Sequence, residues 1–173
     1  MHACSRGSCH SKVHGRFPTS DITGSAVTRD TKFTGGCLCG AIRYEVSAGP
    51  VRGVICHCSM CRKHSGAPAL AFVHFPRDAF TWLGREPQTY RSSPFAERGF
   101  CPTCGSTLSM HEEVIADRVQ VTVGSLDAPN RVRIDDHVWT KEQLEWFNVA
   151  DELPRFAASS TGVATKARQP GDA

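Results

Sequence analysis

Seven cysteines crowd into three short clusters between positions 37 and 104 of a 173-residue chain, and no other feature restricts its fold as much. Cys37-Leu38-Cys39 is a C-x-C pair, Cys56-His57-Cys58-Ser59-Met60-Cys61 is C-x-C-x-x-C, and Cys101-Pro102-Thr103-Cys104 is C-x-x-C. Thiolates a few residues apart reach one ion at about 2.3 Å without straining the chain, which is why such knuckles build zinc sites. Gly36, Gly40 and Gly105 flank two of the clusters and allow the backbone geometry, forbidden to other residues, that tight turns of this kind need. Disulfides need an oxidising compartment, and the sequence shows neither an apolar leader of about 7–15 residues nor a span of about 18. Metal chemistry in the cytoplasm is therefore the expectation.

Seven ligands do not fill two tetrahedra, and the natural partition is four plus three. Cys37, Cys39, Cys101 and Cys104 make a closed site that ties the start of the domain to a point more than sixty residues later; a closed site contributes folding free energy and does no chemistry. Cys56, Cys58 and Cys61 then hold a second zinc with one position open to water or substrate, as catalytic zinc sites have. Two zinc ions per chain are expected on this count. The alternative that stays open is closure of the second site by His57 or His64, which makes both metals structural and the domain a binding module. A redox dithiol at C-x-x-C lacks the βαβ surroundings that such motifs use.

The rest of the chain reads as mainly β with little helix. Ala41–Val46 and Arg118–Val123 alternate apolar and polar residues, and Val51–Ile55, Ala69–Phe75, Thr81–Leu83, Thr89–Arg91 and Val132–Ile134 through Trp139 are further strand candidates. Gly and Pro punctuate these runs at intervals of about 8–12 residues. Helix is predicted only at Ser59–His64 and Lys141–Phe147. Residues 1–31 and 157–173 are rich in small polar residues without periodicity and read as disordered extensions around a domain at 32–156. The four cations Arg6, Lys12, Arg16 and Arg29 give the first extension some likeness to an organellar transit peptide, though a plain extension is preferred. The net charge is +3 and the longest basic cluster is Arg62-Lys63-His64, which argues against a nucleic-acid partner; the lack of a long apolar run argues against a membrane.

Gly35-Gly36-Cys37-Leu38-Cys39-Gly40, Cys56 to Gly66 (CHCSMCRKHSG), Phe80…Leu83-Gly84, Tyr90-Arg91-Ser92 and Gly99 to Gly105 follow one another in a familiar order. Gly124-Ser125-Leu126-Asp127, His137-Val138-Trp139 and Trp146…Asp151 to Phe156 complete it. From about residue 33 to 156 the chain resembles the glutathione-dependent formaldehyde-activating enzyme family, which includes centromere protein V. The resemblance implies a zinc-bound Mss4-like (β-tent) fold and the same four-plus-three ligand partition. It also implies a carbon–sulfur lyase that condenses formaldehyde with glutathione to S-(hydroxymethyl)glutathione at Cys56, Cys58 and Cys61. Family membership supports the fold more firmly than the reaction, because the centromere protein V relative works on chromatin and microtubules, and another carbonyl or imine substrate is an alternative. Glutathione carries two carboxylates, so Arg62, Lys63, Arg91 and Arg98 are candidate cations for it, and His57 and His64 candidate proton carriers. Trp82, Trp139 and Trp146 are expected in the core or the pocket wall.

Overall fold

The computed structural model describes residues 31–160. Residues 1–30 and 161–173, with most of both expected extensions and with Cys4 and Cys9, lie outside the described residues. The described residues form ten short strands and one α-helix, so the mainly β expectation holds. Three strands, β1 (Phe33–Gly36), β2 (Arg43–Val46) and β5 (Phe80–Leu83), form a small antiparallel sheet in the order β1-β2-β5. The other seven are β3 (Arg52–Cys56), β4 (Leu70–Pro76), β6 (Gln88–Ser93), β7 (Ala96–Phe100), β8 (Thr107–Glu112), β9 (Arg118–Thr122) and β10 (Asp136–Val138). They form a sheet in the order β10-β3-β4-β9-β8-β7-β6, with only β10 and β3 parallel.

Successive side chains of a strand point to opposite faces, and the large sheet uses its two faces differently. Val73 and Phe75 of β4 and Val119 and Val121 of β9 pack with Phe33, Tyr44, Val46 and Leu126 into the main core. Each such side chain contributes about 1.5–3 kcal/mol on burial. The one hydroxyl in this core is paired: Tyr44 donates to Ser125 Oγ at 2.8 Å, and Ser125 donates onward to the Thr122 carbonyl. The opposite face carries residues of the other parity. Cross-strand register sets Arg52 beside His74, His74 beside Gln120, Gln120 beside Met110 and Met110 beside Arg98. This row crosses five strands, and four of its five members are polar. His74, Gln120 and Arg98 are nonetheless buried.

The helix predicted from Ser59 is present as α1 (Ser59–Ser65), stopped by Gly66 at φ 70°. The one predicted at Lys141–Phe147 is not. That segment makes a single 3₁₀ turn at Thr140–Glu142. Its side chains serve tertiary contacts instead: Glu142 accepts from the Ser59 amide at 2.8 Å, and Gln143 donates to the Phe147 carbonyl at 2.7 Å. A few good helix formers do not outweigh such contacts in so short a stretch. The strand expected from Val132 begins only at Asp136. Before that point the Gly53 amide donates to the Asp135 carboxylate at 2.9 Å and not to a backbone carbonyl, and the chain packs so near that a Cβ on Gly53 would stand 2.1 Å from the Arg133 carbonyl oxygen. Beyond β10 the chain returns along the same edge. His137 forms a parallel bridge with Arg155, donating to the Pro154 carbonyl and accepting from the Phe156 amide, both at 2.9 Å; Trp139 donates to the Ala158 carbonyl at 3.1 Å, and Arg52 reaches Ser160. This return covers part of the polar face.

Candidate metal centres

Two groups of cysteines come together, each with its sulfur atoms all within 4.8 Å of one another. The first joins Cys37 and Cys39, in the turn between β1 and β2, to Cys101 and Cys104, in the turn between β7 and β8. The turns are preset for it. Gly40 and Gly105 both hold positive φ, 77° and 75°, and their amides bond back to the carbonyls of Cys37 and Cys101. The Ile42 amide donates to Cys37 Sγ at 3.2 Å, and Cys104 lies 3.2 Å from Ser106 Oγ, which with neighbouring amides holds its thiol down to about 5. Cys37 and Cys101 are buried with Ile42 and Leu108, whereas Cys39 is exposed.

The second group is Cys56, Cys58 and Cys61, all buried, with no histidine or carboxylate joining them among the described residues. Cys56 ends β3, Cys58 caps α1 by accepting the Cys61 amide at 3.3 Å, and Cys61 lies within the helix. Three adjacent thiols do not all ionise alone. Hydrogen bonds from Cys56 and Cys61, with the nearby Arg98 charge, hold Cys58 down to about 3, while its two neighbours and burial push Cys56 up. A divalent cation removes that conflict, since it needs all three sulfurs deprotonated. The donor set therefore suits a thiophilic metal such as zinc. Arg98, only 2% exposed, donates through Nη1 to Cys61 Sγ at 3.5 Å and through Nε to Ser92 Oγ at 2.9 Å. A buried cation is costly unless compensated, and here electron-rich sulfur compensates it.

His57 sits between two of these cysteines but belongs to another network. Its Nε2 is 2.9 Å from His137 Nδ1, and His137 Nε2 is 2.9 Å from Asp151 Oδ2. The carboxylate only accepts, so His137 donates to it from Nε2, and His57 Nδ1 is buried without a partner among the described residues. The His137 bond in turn holds the Asp151 carboxyl below its usual range. This chain anchors the loop between Cys56 and Cys58 to the returning C-terminal segment.

A cleft of about 60 Å³ opens on the polar face and is bounded by Cys56, Val54, Phe72, His74, Gln120 and Trp139. Trp139 stands in the left-handed region at φ 57°, rare for a bulky side chain, with Lys141 over its ring. Burial, then the charges of Arg52 and Arg118, hold the His74 imidazole neutral, down to about 4. Leaving such a buried polar group unpaired costs about 1–3 kcal/mol. A larger hollow of about 350 Å³ beside Trp82, Glu97 and His111 touches no cysteine, and none of the unpartnered buried nitrogens lines it.

The sequence profile of the family described as "glutathione-dependent formaldehyde-activating enzyme" matches residues 32–142. The chain belongs to this family. An uncharacterized lyase of Schizosaccharomyces pombe is 35% identical over 77 residues, 44% of this chain and 56% of that protein. The chain thus spans little more than half the length of that relative. A putative glutathione-dependent formaldehyde-activating enzyme of Halomonas elongata is 28% identical over 130 residues, 66% of this chain and 79% of that protein. Among solved structures, a Rhodobacter sphaeroides protein aligns with a TM-score of 0.45 at 22% identity, over 70% of this chain and 98% of the other.

Within this member of the family the sequence-predicted residues fare unequally. All seven cysteines gather as two sets. Of the four candidate cations only Arg98 reaches a cysteine; Arg62 donates to the His57 carbonyl at 3.2 Å, Arg91 pairs with Glu97 and Glu113, and Lys63 is exposed. His64 joins neither set and faces Phe100. Trp82 packs on Tyr44 and Phe80, and Trp139 walls the cleft, but Trp146 is 74% exposed rather than buried. Sequence reasoning missed His74, Gln120, His137 and Asp151. A histidine inside the apolar run Phe72-Val73-His74-Phe75 was the available signal.

Proposed function

We propose that this protein is a zinc-dependent carbon–sulfur lyase of the family's type, joining a small aldehyde to a thiol such as glutathione at Cys56, Cys58 and Cys61. The observation that carries the reading is the inequality of the two cysteine sets: one has four sulfurs, and the other has three beside a cleft. The names borne by the two relatives point the same way. Cys56, Cys58 and Cys61 would hold the zinc ion, which when bound would acidify a thiol or polarise a carbonyl oxygen. In the reaction a sulfur–carbon bond forms, the carbonyl π bond breaks, and the thiol proton ends on the new hydroxyl oxygen, so no oxidant or reductant is needed.

The chain's own residues prepare this site. Three thiolates around a divalent ion leave one net negative charge, which would blunt its electrophilicity; the buried Arg98 cation offsets it. The Asp151–His137–His57 chain fixes the loop that carries Cys56 and Cys58. Val54, Phe72 and Trp139 keep bulk water from the cleft walls. In this reading the catalytic unit is the domain at 32–156, acting in the cytoplasm with two zinc ions per chain. The test is exchange spectroscopy of formaldehyde with glutathione, with and without the purified protein, alongside zinc analysis. Acceleration by the wild type is expected. Cys58→Ser is expected to remain folded with one zinc per chain and to lose the acceleration. Full activity of Cys58→Ser, or no acceleration by a two-zinc wild type with formaldehyde or with any longer small aldehyde, overturns the proposal.

A further inference from the structure

The cleft has an internal polarity, and that polarity describes a substrate. Its near end is Cys56. Its far end, four residues back along β3, is the level of Arg52, which lies opposite His74 in the register. Four residues of strand span roughly 13 Å, and side chains leaning in from both ends shorten the free path. Val54 and Phe72, opposite each other in the register, line the middle, Val138 stands level with Cys56, and all three belong to one apolar cluster with Cys56. The cleft thus runs from sulfur, through hydrocarbon, to imidazole. Its 60 Å³ offers room for roughly four to six water-sized groups in a row.

The far end is built to recognise something. His74 is 5% exposed, yet neither ring nitrogen has a hydrogen-bond partner among the described residues. Buried polar side chains are ordinarily paired, and the exceptions call for an explanation. Packing does not supply one, because His74 lies on the face turned away from the main core. The charged groups around it are already engaged. Arg52 forks onto Asp136, with Nε to Oδ2 at 2.9 Å, and also reaches Ser160. The Glu112 carboxylate accepts from Gln120 Nε2 at 2.9 Å. Arg118, whose charge also reaches the ring, pairs with Asp117 at 3.6 Å. Among the described residues each of these charged groups thus already has a partner, and none is left over for a substrate carboxylate or ammonium. A neutral imidazole offers one N–H and one lone pair, which match a hydroxyl or an amide.

Resting on the function proposed above, we infer that the aldehyde substrate is longer than formaldehyde and bears an uncharged hydrogen-bonding group, a hydroxyl or amide, at the end remote from its carbonyl. His74 reads that group, the apolar middle accommodates a short alkyl spacer, and the carbonyl lies at the Cys56 end. A carboxylate in the same place is rejected, because it would be desolvated beside Glu112 without a partner charge.

Three aldehydes test this with the zinc-loaded full chain: 3-hydroxypropanal, its near-isostere butanal, and the anionic succinic semialdehyde. At saturating thiol, kcat/KM for 3-hydroxypropanal is expected to exceed that of each of the other two by at least about tenfold, the scale of one buried polar group left unpaired. His74→Phe should erase the preference over butanal, and His74→Gln, which keeps a donor and an acceptor, should restore part of it. A second readout needs no turnover and no variant: titration with 3-hydroxypropanal should shift the ¹⁵N resonances of the His74 ring saturably, and butanal should not. Equal kcat/KM for the three aldehydes, or a His74 ring unmoved by 3-hydroxypropanal, overturns the inference while leaving the lyase reading in place. Saturable ring shifts without thiol addition to any aldehyde would sink the lyase reading and leave His74 as the recognition group of a binding site.

Discussion

The two cysteine sets use the same ligand and are built in opposite ways. The four-cysteine set is assembled from two turns, one in each sheet, and Cys39 is exposed. Around it lie Ile42 and Leu108, backbone amides and Ser106, and no further charged side chain bonds to it among the described residues. The three-cysteine set is compact in sequence and fully buried, with the Arg98 cation beside it and a cleft against it. A site that joins distant turns contributes to folding by cross-linking them. A site made within six residues cross-links almost nothing, and under the proposed function its burial, its cation and its cleft serve the reaction. What separates a structural metal from a reactive one is therefore its surroundings more than its donors.

The sharpest way to break this contrast is to remove one ligand from each set. Metal binding in sites of the first kind carries about 10–16 kcal/mol, comparable to the whole stability of a domain, so Cys101→Ser is expected to abolish the cooperative thermal transition seen by circular dichroism. If Cys101→Ser and Cys58→Ser lower Tm equally, the distinction between the sets collapses. The next effect concerns the cleft side alone. The folded state holds the His74 ring pKa down to about 4, below the ordinary imidazole value of 6.5, so between those values the unfolded chain binds more protons. The resulting stabilisation is complete above pH 6.5 and is lost as pH falls towards 4, with Arg52 and Arg118 disfavouring the charged ring. A loss of about 3 kcal/mol over that range is expected for the wild type relative to His74→Phe. Denaturant titrations at pH 7, 5.5 and 4 measure it, and parallel curves for the two proteins would refute it. Smallest is the effect of Arg98→Met. Removing a cation beside a negatively charged metal–thiolate group should weaken zinc about 10–100-fold at the three-cysteine set only. In competition with a chromophoric chelator, one of two binding phases should move; movement of both would place Arg98 in the general fold.

Much of this molecule could be read from its sequence, but unevenly. Strands that alternate strictly, such as Arg118–Thr122, were legible because one face meets the core. Phe33–Gly36 and Ala96–Phe100 were not, because glycines and charged residues interrupt the pattern and pairing alone makes them strands. The segment Lys141–Phe147 misled because its local preference for helix was weaker than the tertiary bonds of Glu142 and Gln143. At the site, the spacing of the cysteines exposed the thiols, but it left open whether His57 or His64 belonged with them. The partners of both rings lie on distant segments: His57 meets His137, eighty residues on, and His64 meets Phe100.

By itself the sequence determined which atoms are available to a metal and how they are portioned out, because knuckle spacing is a local property of a few consecutive residues. Only the tertiary structure decided what those atoms face. The row from Arg52 through His74 and Gln120 to Arg98 comes from four strand pairings between residues 10 to 46 positions apart. Register of that kind is set by which faces are buried across the whole sheet, and no stretch of neighbouring residues contains it.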